Sequence, residues 1–243
     1  MADGGAGRRV RQSGGVRSAY DTVAREIADM AAYWGERKAD WLDAAAEEFD
    51  ELVEPFTFHR LEVTRREIQG VNGLFTEWAL FEWNMLDGKT PLERYIELRP
   101  GGVGAQTLER LQQIARTHLY SRFAILGKDR GSGMVRLADT RTACSFEVCD
   151  PRVCAIDRWS DGTVAARIAQ VDGMWQTISQ VHLYDVARPE DTAVDGPGAV
   201  HPEDAGRAPD TADMSFFVRM LRDTIGMSGR YASTLRLCTV PAS

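Results

Sequence analysis

The chain has 243 residues, of which 44% are hydrophobic and 27% charged, with a formal net charge of -7. That length suffices for one large core or two smaller ones. The acidic balance argues against a broad nucleic-acid face but leaves room for a local basic patch.

Residues 1–17 are rich in Gly and Arg and are expected to form a disordered arm. No apolar stretch of a secretion signal lies in them, and no run in the chain is apolar enough to span a bilayer, so a cytoplasmic protein is expected. A helical region is predicted over 18–119. Tyr20, Val23, Ile27, Met30 and Trp34 recur at spacings of three and four, one stripe of an amphipathic helix that Gly35 should end. Trp41, Ala45, Phe49 and Leu52 repeat the pattern up to Pro55, and a third helix is expected over 59–69. Next, Leu74, Phe75, Trp78, Phe81 and Met85 make a dense apolar face, with Trp83 off it, in a helix predicted to stop at Asp87-Gly88.

Thr90-Pro91-Leu92-Glu93 carries two start signals for another helix. Thr90 and Glu93 can form a reciprocal capping box, and Pro91 stands where its missing N–H costs nothing. Pro100-Gly101-Gly102 ends that helix, and a longer one follows with Leu108, Leu111, Ile114, Ala115 and His118 on one face. Gly102-x-Gly104 follows no strand and lacks a third glycine, so it is no dinucleotide loop.

From Tyr120 the period shortens to two. Strands are predicted at 120–127, 134–139, 144–149, 153–157, 163–171 and 174–184, separated by turn chemistry of which Asp172-Gly173 is the clearest hairpin. Short strands with tight turns over 120–186 imply an antiparallel meander curling into a small barrel or half-barrel. Residues 187–212 lose all periodicity and read as a flexible linker. Residues 213–243 should hold a helix, with Met214, Phe217, Val218, Leu221 and Ile225 as its stripe, and a possible last strand. The fold class is therefore α+β, a helical layer followed by the small barrel and a C-terminal helix.

Glu77-Trp78-Ala79-Leu80-Phe81-Glu82, then Asp87-Gly88-Lys89-Thr90-Pro91-Leu92-Glu93-Arg94, resembles a family of uncharacterised bacterial proteins. Many of its members end in a SEC-C zinc knuckle. The resemblance covers about residues 72–184, including Ala166-Arg167-Ile168 and Asp172-Gly173-x-Trp175. The knuckle is absent here, so the resemblance implies a fold and no zinc.

Cys144, Cys149 and Cys154 are five apart, not the Cys-x-x-Cys of a zinc site, and are expected to be reduced structural thiols. Neither a metal nor a cofactor is expected. His-Glu-x-x-His and Gly-x-Ser-x-Gly are both missing. A Cys149 nucleophile with His182 is a pairing that almost any chain holding both residue types permits. Glu77 and Glu82, about 140° apart around a helix, cannot pair with each other on that helix and are expected to meet an arginine or a backbone amide.

Two functions stay open. One is a non-enzymatic binding or adaptor protein for another macromolecule, protein before nucleic acid, with Trp78, Glu77, Arg94, Arg122 and Arg136 as the candidate surface. Arg122, Lys128, Arg130, Arg136 and Arg141 give the early strands a basic bias. The other is a hydrolase-type enzyme with its site between the helical layer and the barrel.

Overall fold

Helix α1 (Ala6–Glu36) opens the chain in a computed structural model that describes residues 6–53, 65–140, 142–156, 162–185 and 238–239. Residues 6–17, expected as a disordered arm, are thus part of the first helix, against the local propensity of Gly7, Gly14 and Gly15. Its stripe is the expected one: Tyr20, Val23, Met30 and Trp34 are buried and Ile27 packs beside them. A short 3-10 turn (Lys38–Asp40) leads into α2 (Leu42–Val53), which adds Ala45 and Phe49 to the same core.

Helix α3 (Arg65–Phe81) stops earlier than the Asp87-Gly88 turn. Its end is wound wide, with the backbone N–H groups of both Glu82 (2.8 Å) and Trp83 (3.0 Å) donating to the Trp78 carbonyl. This re-aims the two residues that follow. Trp83 is buried rather than off the apolar face, and its indole N–H donates to Glu48 Oε2 at 3.0 Å. Helix α4 (Pro91–Leu98) starts as the sequence demands: the Thr90 hydroxyl accepts from the Glu93 N–H, and Glu93 Oε2 accepts from the Thr90 N–H. Trp34 ties α1 to this start through a 3.0 Å bond from Nε1 to the Pro91 carbonyl. Helix α5 (Ala105–Thr117) completes the layer and runs through His118 into the first strand.

The strands are β1 (Leu119–Asp129), β2 (Met134–Asp139), β3 (Ser145–Cys149), β4 (Thr163–Val171), β5 (Met174–Thr177), β6 (His182–Asp185) and β7 (Cys238–Thr239). The first five close into a mixed barrel in the cyclic order β1–β2–β3–β5–β4–β1. Four of its seams are antiparallel and the β3–β5 seam is parallel, so the sheet is not a simple antiparallel meander. Residues 174–184 break into two strands because β5 pairs with the far half of β4 and β6 with its near half. Asp172 (φ 50°) and Gly173 (φ 79°) make the tight β4–β5 turn that the dipeptide predicts.

The expected strand at 153–157 is instead helix α6 (Pro151–Ala155). Asp150 Oδ1 accepts from the N–H groups of Arg152 and Val153, both at 2.9 Å, and Pro151 takes the first helical position. It is the Thr90-Pro91 signal in another guise, and α6 plugs one barrel end, where the Lys128 ammonium donates to the Val153 and Ile156 carbonyls. The segments expected as a third helix at 59–64, the linker at 187–212 and the C-terminal helix lie outside the described residues. Of the possible last strand, Cys238–Thr239 pairs with β6.

Two cores share one wall. Leu119, Phe123, Ile125, Val135, Leu137, Val148, Val164, Ala166 and Ile168 fill the barrel. Tyr120, Ala165, Ala169 and Val171, on the outer face of β1 and β4, pack against the helices. Strand β4 is consequently buried on both faces and reads as an almost continuous apolar run. Its alanines let the helical layer come close, and one residue in the middle of that covered face, Arg167, is charged.

Candidate functional site

Arg167 is wholly buried, on the β4 face that the helices cover. A guanidinium there needs acceptors, because an isolated buried charge is prohibitively costly. Three elements supply them. From α3, Glu77 Oε1 accepts from Nε at 3.3 Å. From the wide turn after α3, Glu82 Oε1 lies 2.5 Å from Nη1. From the end of α5, His118 Nδ1 lies 2.9 Å from the same nitrogen. The Phe81 and Tyr120 rings flank the guanidinium, with centroids 4.9 and 5.4 Å from its central carbon. The Ser179 hydroxyl closes the strand side by accepting from the Arg167 backbone N–H at 3.1 Å.

The chemistry fixes several protons. A guanidinium only donates, so His118 Nδ1 must be the acceptor and the neutral ring carries its proton on Nε2. Burial, seconded by the Arg167 charge, lowers the His118 pKa to about 3. Burial raises Glu77 to about 7 against the opposing pull of Arg167. The Ser179 hydroxyl and Arg167 are the side-chain donors that oppose this rise, the Glu82 charge adds to it, and burial dominates.

Glu77 and Glu82 thus meet on one arginine although they stand apart around the helix axis, because the helix ends between them. Of the other residues read as a candidate surface, Trp78 is wholly buried in the helical core and Arg122 is buried at 1% exposure. Arg94 lies on α4, paired with Asp87 at 3.4 Å and Glu97 at 3.2 Å. Arg136 is exposed on β2. The five therefore form no common surface: Arg122 and Arg136 both point out of the barrel, but Arg122 is buried on β1 and Arg136 is exposed on β2, and the helix face holding Trp78 is the one the core needs. Arg167 and His118 complete the cluster and were not singled out as site residues. A lone charge inside the nine-residue run TVAARIAQV is the signal that marks Arg167.

Among the described residues no group of three or more His, Cys, Asp or Glu side chains is placed to hold a metal. Burial pushes the Cys149 thiol up to about 12 and Cys154 to about 11, which keeps both protonated and removes the nucleophile from the Cys149–His182 pairing. A groove of about 290 Å³ between α4 and α5 is lined by Lys89, Glu93, Ile96, Glu97 and Arg116. Its charges are of both signs and Lys89 pairs with Glu97 inside it. No family model, curated protein or solved structure matches this chain.

Proposed function

We propose that the chain is a non-enzymatic binding protein that offers the outer face of β2 and β3 to a protein partner. The strand order, with a short helix between β3 and β4, is the connectivity of an OB-type barrel, a fold that binds ligands across its second and third strands. The observation that carries the choice of partner is the make-up of that face. Arg136, Ser145 and Glu147 are exposed on it, and Arg136 stands directly opposite Glu147. Single-stranded nucleic acid needs aromatic platforms and a basic groove. Here Phe123, Phe146 and Trp175 pack edge to face with the barrel core, at centroid separations of 6.0 and 5.1 Å. Mixed charge without an exposed ring suits a protein surface.

The hydrolase reading draws on the Glu77–His118–Arg167 cluster, since perturbed carboxyl and imidazole groups gather at active sites. Against it, the side chains of Glu77, Glu82 and Arg167 are 4%, 5% and 0% exposed, and His118 is buried too, so a substrate has no approach. Kinship with the SEC-C-bearing bacterial family over residues 72–184 belongs to the same proposal, as does a reducing cytoplasmic setting, which suits the free Cys144, Cys149 and Cys154. Titrating the full chain into labelled mixed-sequence single-stranded DNA and RNA at low salt should give no saturable binding. Saturable binding that weakens steeply with salt would replace the protein partner with a nucleic acid.

A further inference from the structure

Among the described residues, two carboxyls and one imidazole, all buried, face the Arg167 guanidinium, and that arrangement has a consequence for how the helices stay on the barrel. We infer that Glu77 and His118 form a proton-compensated clamp, in which Glu77 keeps a proton, His118 refuses one, and the grip of α3 on the barrel is held constant through mildly acidic pH.

The geometry sets the proton count. Glu82 Oε1 is 2.5 Å from Arg167 Nη1 and neutralises the guanidinium as a close ion pair. Glu77 is buried and bonds Arg167 through Oε1, with the Ser179 hydroxyl as its other side-chain donor among the described residues, so ionising it would leave a second negative charge poorly satisfied. His118 presents Nδ1 to a guanidinium N–H at 2.9 Å, and a proton on that nitrogen would break the bond and set two cations against each other. Among the described residues, the groups facing this centre are Arg167 from β4, Glu82 from the turn after α3, His118 from α5, Tyr120 from β1 and Ser179 after β5.

The two titrations oppose each other. His118 is lowered from 6.5 to about 3 in the folded chain. Its contribution is complete above pH 6.5 and is lost as pH falls toward 3, because the unfolded chain takes the proton first. Glu77 is raised from 4.5 to about 7. Its contribution is complete below pH 4.5 and is lost as pH rises toward 7, because the unfolded chain releases the proton first. Between about 4.5 and 6.5 one slope cancels the other.

The test is urea unfolding of the full chain followed by tryptophan fluorescence between pH 5.0 and 6.5. The wild-type folding constant should stay level, apart from the chain's remaining carboxylates, which all three proteins share. Relative to wild type, Glu77→Gln should gain about tenfold in folding constant per pH unit, and His118→Gln should lose about tenfold per unit. A structural role alone would shift both variants by a constant, and parallel pH profiles in the three proteins would overturn the clamp. Should a variant not fold, NMR of the wild-type chain decides. A neutral Nε2–H imidazole at His118 and a protonated Glu77 carboxyl at pH 5.5 support the clamp, and an imidazolium or a carboxylate at that pH contradicts it.

Discussion

Trp78 shows what a single residue decides in this molecule. It is wholly buried, packed against Phe49 and Phe75 at centroid distances of 5.4 and 6.3 Å, and its indole N–H has no hydrogen-bond partner. Trp78→Ala should cost about 3–5 kcal/mol, read as a lower urea midpoint with an unchanged slope. Trp78→Phe should cost much less, since it keeps an aromatic ring and removes a buried donor whose missing bond costs about 1–3 kcal/mol. A shift below about 1 kcal/mol for Trp78→Ala, the range of surface substitutions, would contradict the core assignment. Arg167 is the polar counterpart. Its fit depends on Glu77 and Glu82 together, and no side chain of the same charge but different shape, such as lysine, reproduces bonds to three acceptors from one planar fork.

At the scale of elements, the sequence was most legible where local chemistry alone sets the outcome. Thr90 and Glu93 form the capping box their spacing demands, and Asp172-Gly173 turns with both residues at positive φ. Thr90→Ala removes the acceptor for the Glu93 N–H and should cost about 1 kcal/mol, measurable in the same unfolding assay, while Thr90→Ser should change little. Legibility failed where tertiary contacts overrode the local pattern. Helix α3 ends at Phe81, not at the Asp87-Gly88 turn, because the wide final turn delivers Glu82 to Arg167 and Trp83 to Glu48. Val153–Ala155 look like a strand by composition, yet the Asp150 cap and Pro151 make them helical. The candidate site suffered most. Its parts lie on α3, α5 and β4, far apart in sequence, and a pattern of spacings cannot bring Glu77, His118 and Arg167 to one point.

In the whole molecule, β4 is a wall shared by two cores, so the helical layer and the barrel brace each other, and the charged cluster sits where they join. The layer covers the outer face of β1 and β4, and helix α6 plugs one barrel end. The β4–β5 turn is also engaged, since the Asp172 N–H donates to Gln113 Oε1 of α5 at 2.6 Å. Arg136, Ser145 and Glu147 remain on an exposed face of β2 and β3, and the proposed function depends on that face meeting a protein. The most direct measurement places a photo-crosslinking amino acid at Arg136, and separately at Glu109 on the exposed side of α5, in cells that naturally make the protein. One discrete adduct of higher mass is expected from position 136, identified as protein by mass spectrometry, and none from position 109. An adduct from 109 alone, or nucleic acid joined to 136, would contradict it.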